Sequence, residues 1–477
     1  MDACLDTLGL LIARSASLSW VVGWIQSAVD EGCQTSRDPR SERREMLSSC
    51  DRGAPAHLAA AERLGSVGFS CIGVSTCFEP GSDGALWAIL YIGYYSQVPV
   101  LKTVDDHSFR AEARAALETA ATEVGWVASE ALGAGDGYDR PRRRQLDRLL
   151  GQRGWAAVAW PAQYGGRGEP LRRHAIVAEE FSRLGVATPY NRVAMGIVAP
   201  ALLHHGSSEQ KARHLPAMLT CDEIWCQGFS EPGAGSDLAS LRTSAHVDNG
   251  EWRVNGQKVW TTLGAEADYC FLLARTGDGA KHRGISALLV PMHQPGVLIR
   301  PIKQINGEED FCEVWFEDAR APLDAVVGEV NSGWAVTMSA LSYERSLHLL
   351  QRQFRFRKLV DELRAATDWT SAGAAAEDLL VDSEIAGLAL AYAMDDQIDT
   401  LDRGDAGGVE ANASKVLWSE SYRRVAELGA DLSAAGYTPS PAEWVNECYS
   451  SLATSIYAGT NEIQRNIIAE RGLGLPR

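Results

Sequence analysis

The hydrophobic pattern of this 477-residue chain changes twice along its length, and this change constrains the fold more than any other feature. Residues 105–220 have helical periodicity, residues 221–325 alternate with a period of two, and residues 326–477 return to helical periodicity. The order of helices, strands and helices predicts an α+β fold with segregated layers. Residues 1–104 show no sustained periodicity, and we treat them as an N-terminal extension of unknown role.

Short signals predict individual elements within these regions. Ser207 and Gln210 have the spacing of a helix capping box. Asn249-Gly250 and Asn255-Gly256 are both predicted to form hairpin turns, because Asn and Gly tolerate positive φ. Further elements are predicted from periodicity: strands at residues 271–274, 285–290 and 313–316, and long helices at residues 109–131, 374–393 and 412–432.

Composition limits the classes of partner and compartment. The formal net charge is −17, which argues against a nucleic acid or an anionic membrane as partner. Arg14 interrupts the apolar residues 8–25, so neither a signal peptide nor a membrane anchor is expected. The ten cysteines show no zinc-binding spacing and no disulfide framework. We therefore expect no metal site, and we expect the protein to lie in the reducing cytoplasm. The basic run Arg140–Arg144 is expected to face solvent rather than bind phosphate.

Three segments contain residues suited to binding a cofactor, although each has an ordinary structural explanation. Trp225–Asp237 reads WCQGFSEPGAGSD, and its glycines would let backbone amides approach an anion, or would simply form a turn. Val254–Thr262 carries an aromatic residue and a hydroxyl two positions apart, either for a flat ligand or for sheet packing. Ser455–Arg471 contains a capping box at Asn461 and Gln464, ahead of a helix whose start would suit a pyrophosphate.

In their order and spacing, the three segments together resemble the signature regions of the acyl-CoA dehydrogenase family. The resemblance covers Asp105–Arg477. It implies an N-terminal helical domain, a middle β-barrel or sandwich domain and a C-terminal four-helix bundle. It also implies FAD as cofactor and α,β-dehydrogenation of an acyl thioester to the 2,3-enoyl thioester, with hydride passing to flavin N5.

The resemblance also implies which residues contact FAD. Phe229 and Ser230 would lie along the flavin, while Trp260 would cover one face of its ring system. Thr262 would bind N5. Gly235 and Ser236 would lie at the FAD pyrophosphate and thioester side. Thr460 and Glu462 would contact the FAD phosphates and adenosine.

The catalytic base is not expected in the segment that supplies it in many family members. Many family members supply it from a Tyr-x-Gly-Thr segment, which here reads Tyr457-Ala458-Gly459-Thr460 and contains no carboxylate. Glu344-Arg345 matches the position used by the isovaleryl and long-chain branch, and Glu344 follows the spacing of Met338 and Leu341. A carboxylate on an apolar helix face has a raised pKa. Glu344 is therefore the predicted base, the alternative being a structural ion pair with Arg345 or Arg352.

The predicted partners are an acyl-CoA or carrier-protein thioester and an electron-transfer flavoprotein. The family's partner-subunit segment is altered here to Glu427–Ala430, so either a homotetramer or a heterotetramer is expected. Two other functions stay open: a flavin oxidase or monooxygenase on the same fold, and a non-catalytic subunit of a heterotetramer.

Overall fold

A computed structural model describes the backbone of residues 73–75 and 89–91, together with residues 106–126, 140–185, 189–279, 281–403 and 408–476. The side chains of residues 342–351 are outside the described part. The chain divides into two compact units, Met1–Pro99 and Val100–Arg477. In the first unit, the backbones of β1 (Gly73–Ser75) and β2 (Ile89–Tyr91) pair antiparallel. The rest of the N-terminal extension lies outside the described residues.

Helices form the first part of the second unit, as their periodicity predicts. Leu117, Leu150 and Ile176 are fully or almost fully buried in their shared core. The capping box at Ser207 is confirmed: its side chain accepts from the Gln210 amide at 3.2 Å, and the Gln210 side chain accepts from the Ser207 amide at 3.0 Å. The helices are α1 (His107–Glu123), α2 (Arg140–Gln152), α3 (Leu171–Arg183), α4 (Ala199–His205) and α5 (Ser208–Leu219).

The basic run at the start of α2 does not face solvent, and that expectation was wrong. Arg143 is 2% exposed and donates to Asp147 at 3.0 Å. Arg144 donates to the carbonyl oxygen of Cys221 at 2.7 Å. These arginines bind acceptors within the protein because α2 packs against the end of α5, where backbone carbonyl groups have no helical partner.

The middle part is a mixed eight-stranded sheet. Its strands are β3 (Trp225–Gly228), β4 (Ser244–Asp248), β5 (Glu251–Thr262), β6 (Tyr269–Arg275), β7 (Ile285–Pro291), β8 (Val297–Ile302), β9 (Phe311–Pro322) and β10 (Val326–Val327). Their order in the sheet is β10-β7-β6-β4-β5-β9-β8, and β3 also pairs with β6. The β3–β6 pair is parallel, while the hairpins and meanders are antiparallel. The described strands form an open sheet and do not close into a barrel.

The two Asn-Gly pairs have different structures. Asn249 and Gly250 have φ values of 50° and 82° and connect β4 to β5, so the first hairpin is confirmed. Asn255-Gly256 instead lies inside β5, at a shift of register against β9, and its predicted turn was wrong. A Cβ atom on Gly256 would lie 2.5 Å from the Thr243 hydroxyl oxygen, which explains glycine there as a close approach in a bulge.

Helices return after the sheet, as predicted, and four of them, 14 to 34 residues long, pack into a bundle. Leu363, Leu390, Val425 and Trp444 are buried in its core. No described helix is long and apolar enough to cross a membrane. The bounds are α6 (Gly333–Ala366), α7 (Trp369–Ala372), α8 (Ala374–Asp402), α9 (Glu410–Ala434), α10 (Pro441–Thr454) and α11 (Asn461–Ile467).

Candidate functional site

The glycine-rich segment after β3 forms a tight loop on the surface of the sheet. The Glu231 amide donates to the Ala234 carbonyl oxygen at 3.1 Å, and the Ala234 amide donates back to the Glu231 carbonyl oxygen at 3.0 Å. Gly233 and Gly235 are exposed, and a Cβ atom at either would have open space around it. The loop therefore presents bare backbone to solvent while its two ends are fixed.

A buried ion pair fixes this loop to β5. Lys258 is fully buried, and its ammonium group donates to Glu231 Oε1 at 2.9 Å and to the Phe229 carbonyl oxygen at 3.0 Å. The Glu231 carboxylate also accepts from the amides of Arg242 at 2.7 Å and Thr243 at 2.8 Å. Every oxygen of this buried carboxylate thus has a donor, which is the condition under which a buried charge is tolerated.

The protonation of Glu231 follows from these contacts. Burial alone would raise the pKa of its carboxyl group, but the Lys258 ammonium group and the Arg242 and Thr243 amides more than offset burial, and the pKa lies below the ordinary value. Burial also lowers the pKa of Lys258, and the adjacent carboxylate opposes that effect. We therefore treat the pair as ionised at neutral pH.

The end of β5 is strained and displays an aromatic ring. The register of β5 against β9 shifts between Lys258 and Thr261, and Trp260 lies in this bulge with φ of 60°. Leu263 has φ of 59°. A non-glycine residue in this region costs about 1–3 kcal/mol and persists only where its surroundings impose it. Trp260 is 57% exposed, and its ring meets the edge of Phe311 at 6.2 Å between centroids.

The structure places six of the predicted site residues in the loop after β3 and at the end of β5. The Val259 amide donates to the Ser230 carbonyl oxygen at 2.9 Å, which joins Phe229 and Ser230 to the strand that carries Trp260. Burial alternates from exposed Trp260 through buried Thr261 to half-buried Thr262, so the first and third of these share the outer face. Gly235 and Ser236 are exposed in the same loop. These residues offer an aromatic plane, hydroxyl groups and open backbone amides. A flat aromatic ligand with an anionic tail fits such a set.

The third segment has a different cap from the predicted one. Thr460 is the N-cap of α11, and its hydroxyl accepts from the Ile463 amide at 3.3 Å. The prediction of a capping box at Asn461 and Gln464 was wrong, because both side chains are buried in contacts outside the helix. Asn461 accepts from Lys415 of α9 at 2.7 Å, and Gln464 donates to the Ala458 carbonyl oxygen at 2.9 Å.

Thr460 and Glu462 lie on this helix rather than in the loop. Thr460 is half-buried and Glu462 is exposed. Hydrogen bonds from its own backbone amide and from Thr460 lower the pKa of Glu462. Among the described hydrogen bonds of the two residues, none reaches the loop after β3.

The turn before α11 has no carboxylate at the position where many family members carry their base. Ala458 has φ of 55° and Gly459 has φ of 84°, so an alanine occupies a left-handed position. The Arg352 guanidinium lies over the rings of Trp418 and Tyr457, at 5.0 and 4.9 Å. The turn is thus built around an arginine between two aromatic rings.

Glu344 lies in α6, and its side chain is outside the described residues. The described start of α6 buries Val336, Thr337 and Ala340, whereas Met338, on the spacing used for the prediction, is half-buried. Position 344 follows Ala340 by four residues, about one helical turn.

The ion pair between Lys258 and Glu231 was missed by the sequence analysis, although a signal existed. Trp252 and Val254 are buried even-numbered positions of β5, and Lys258 has the same parity. A lysine on the buried face of a strand needs a partner. Glu231 in the neighbouring motif was the available carboxylate.

Comparisons with known proteins show which family the chain resembles. Three family models match: "Acyl-CoA dehydrogenase, N-terminal domain" at residues 103–222, "Acyl-CoA dehydrogenase, middle domain" at residues 226–319 and "Acyl-CoA dehydrogenase, C-terminal domain" at residues 331–473. The chain is 40% identical to acyl-CoA dehydrogenase IpdE1 of Mycobacterium tuberculosis over 395 residues, which are 78% of this chain and 98% of that protein.

Two solved structures share the fold over about four fifths of the chain. The Tcur3481-Tcur3483 steroid ACAD has a TM-score of 0.68 at 28% identity, covering 80% of this chain and 100% of that one. The ChsE4-ChsE5 complex from Mycobacterium tuberculosis has a TM-score of 0.67 at 29% identity, also covering 80% of this chain and 100% of that one.

Proposed function

The chain belongs to the acyl-CoA dehydrogenase family and is an acyl-CoA dehydrogenase, and on this premise we propose that it uses FAD to convert an acyl-CoA to the 2,3-enoyl-CoA. The observation that carries the proposal is the exposed, left-handed Trp260 beside a loop that Lys258 and Glu231 anchor. Strained backbone concentrates at functional sites, and here it displays an aromatic plane. We further propose domain boundaries at residues 105–220, 221–325 and 326–477, which the ranges of the three family models support.

The residues that would hold FAD fit its chemistry. Trp260 offers a face for the ring system, and Ser230 and Thr262 offer half-buried hydroxyl groups beside it. The bound cofactor would supply the acceptor for the β-hydrogen, which leaves the substrate as hydride. The other contacts proposed from the family resemblance are Phe229, Gly235, Ser236, Thr460 and Glu462.

Glu344 is proposed as the base that removes the α-proton. The absence of a carboxylate from Tyr457–Thr460 supports this assignment, because the reaction needs a base and that segment offers none. Glu344-Arg345 also matches the place where the isovaleryl and long-chain branch of the family carries its base.

Exchange of the α-proton tests the role of Glu344 separately from cofactor binding. Glu344→Gln should bind FAD as the wild type does, but should lose incorporation of deuterium from D₂O at the α carbon of an acyl-CoA. The matched control is Glu362→Gln, which makes the same chemical change in the same helix, five turns further along, at a side chain that pairs with Lys358. Exchange at the wild-type rate in Glu344→Gln would disprove the assignment.

The acyl group is proposed to be steroid-derived, because the structural relative with a TM-score of 0.68 is a steroid ACAD. A panel of CoA thioesters should separate the alternatives. A steroid side-chain thioester should be turned over with a higher kcat/KM than linear acyl-CoAs of equal side-chain length. Preference for the linear chains would contradict this substrate class, and turnover only of a carrier-protein thioester would contradict CoA as the carrier.

The enzyme is also proposed to assemble as a homo- or heterotetramer and to pass electrons to an electron-transfer flavoprotein. An exposed apolar row on α10 supports assembly: Val445, Tyr449 and Leu452 are 38–41% exposed at helical spacing. The two structural relatives each carry two component names, which supports the heteromeric form. Light scattering on the purified chain should give four subunits for a homotetramer and fewer where a second polypeptide is needed.

A further inference from the structure

Five polar side chains connect the helical N-terminal part to the sheet near the end of β5, and we call them the clamp. Arg140 donates to Glu266 Oε1 at 2.6 Å and, through its second terminal nitrogen, to Asp310. The Tyr190 hydroxyl donates to the other oxygen of Glu266. Arg192 donates to Asp310 Oδ2 at 3.1 Å. Two carboxylates from segments that flank strands of the sheet thus meet two arginines and a tyrosine from the N-terminal part.

The clamp is charge-balanced and half-shielded from water. Asp310 is 7% exposed at its side chain, while Arg140 is 34% and Arg192 is 18% exposed. A carboxylate buried to that degree depends on its cationic partners, because an unpaired buried charge is costly. Arg140 contacts both carboxylates, so its loss would affect both at once.

Asp310 connects the clamp to one side of the strained segment. Its carbonyl oxygen accepts from the Leu263 amide at 2.9 Å. The next residue, Phe311, pairs with Thr262 in the sheet, and its ring meets the Trp260 ring. A shift of Asp310 would therefore move contacts of Leu263, which follows the bulge, and of Phe311, whose ring contacts the exposed indole.

Glu266 connects the clamp to the other side. Its amide donates to the Leu263 carbonyl oxygen at 3.0 Å, which closes the turn that follows β5. Leu263 itself is buried in a small cluster with Tyr190, Cys221 and Ile224. Both hydrogen-bonding groups of the left-handed Leu263 backbone are thus held by the residues that bear the two clamp carboxylates.

We propose that the clamp is a positioning device for the flavin-binding segment Trp260–Thr262: Arg140, acting through Asp310 and Glu266, keeps the left-handed backbone in place. The proposal rests on the proposed function, since it assigns FAD to this segment. None of the five residues is a predicted cofactor contact. When the clamp is broken, the segment relaxes toward ordinary backbone conformations, and the indole and the Thr262 hydroxyl leave their positions.

Two variants of the FAD-loaded enzyme test the clamp. Asp310→Asn and Arg140→Met should each raise the dissociation constant for FAD, by at least about tenfold for Asp310→Asn, as expected for losing a charged hydrogen bond. Both should also shift the visible absorption and circular dichroism bands of the bound flavin, which a loss of stability alone would not change. The matched control is Asp222→Asn, which removes the exposed ion pair of Asp222 with Arg148 of α2 at 2.5 Å and should leave both readouts unchanged.

The outcomes separate the clamp from the proposed function. The clamp alone is overturned if the wild-type enzyme binds FAD and both variants fold, bind FAD with the wild-type affinity and keep the wild-type flavin spectrum. Wild-type enzyme that binds no FAD overturns the proposed function and the clamp with it. Should Asp310→Asn not fold, Arg140→Met decides the question, because Arg192 still binds Asp310 in that variant.

Discussion

Removal of the buried ammonium group of Lys258 should lower the stability of the protein by an amount that can be estimated from the contacts of this group. In Lys258→Met the side chain keeps its length, while Glu231, 8% exposed at its side chain, loses its only described cationic partner. Breaking a buried ion pair by removing one partner costs about 3–5 kcal/mol, because the other charge is left uncompensated. The Arg242 and Thr243 amides continue to bind Glu231, so the lower end of that range is expected.

Urea titration followed by far-ultraviolet circular dichroism measures this loss of stability, and the FAD content of the purified variant reports on the loop. The double variant Lys258→Met/Glu231→Gln should recover most of the loss, since a neutral amide oxygen still accepts from the two backbone amides. Arg423→Met is the matched surface control, because the pair of Arg423 with Glu427 is about half exposed and should contribute no more than about 1 kcal/mol.

The pH dependence of this variant has a defined sign. The pKa of Glu231 is lowered in the folded protein, so the pair contributes its full stability above the unfolded pKa and loses it as the pH falls through the lower, folded pKa. The difference in the free energy of unfolding between wild type and Lys258→Met should therefore be constant near neutral pH and become smaller in acid. A Lys258→Met variant no less stable than Arg423→Met, with full FAD content, would refute the reasoning.

Three further predictions concern stability. Burial lowers the pKa of His174 from 6.5 to about 4, so the neutral imidazole contributes its full stability above pH 6.5. That contribution, about 3 kcal/mol, is lost as the pH falls to 4, and His174→Phe should make the melting temperature independent of pH over that range. Ala458→Gly should raise the stability by about 1 kcal/mol in urea titration, because it removes a left-handed alanine, and a loss of stability would contradict this account. Gly250→Ala should lower it by about 1 kcal/mol or more, since φ of 82° in the hairpin strains a side chain; an unchanged midpoint would disprove the turn assignment.

The fold was predictable from sequence wherever one local pattern determined one element. The hairpin at Asn249-Gly250 and the capping box at Ser207 depend only on neighbouring residues, and both are confirmed. Asn255-Gly256 has the same composition as the first pair, yet it lies within a long strand. The difference arises from the close approach of Thr243, a tertiary contact that no local pattern contains.

The sequence named candidate site residues, but not the contacts that hold them in place. Trp260 was expected at the site from its motif, whereas the left-handed bulge that exposes its ring depends on pairing with β9. Gln464 was interpreted as part of a capping box, but it is used instead to hold the turn before α11. Arg140 was grouped with a solvated basic run, and it instead joins two parts of the fold. Neither Arg140 nor Gln464 follows a periodic pattern that would reveal its partner in a distant segment, so only the structure identifies these contacts.

The central claim is that this chain, with FAD and a base of its own, dehydrogenates an acyl-CoA, and anaerobic mixing tests it most directly. FAD-loaded enzyme mixed with a steroid side-chain acyl-CoA should lose the flavin absorbance at about 450 nm as the cofactor is reduced, and Glu344→Gln should retain it. Firmly bound FAD whose absorbance persists with every acyl-CoA in the panel would contradict the claim.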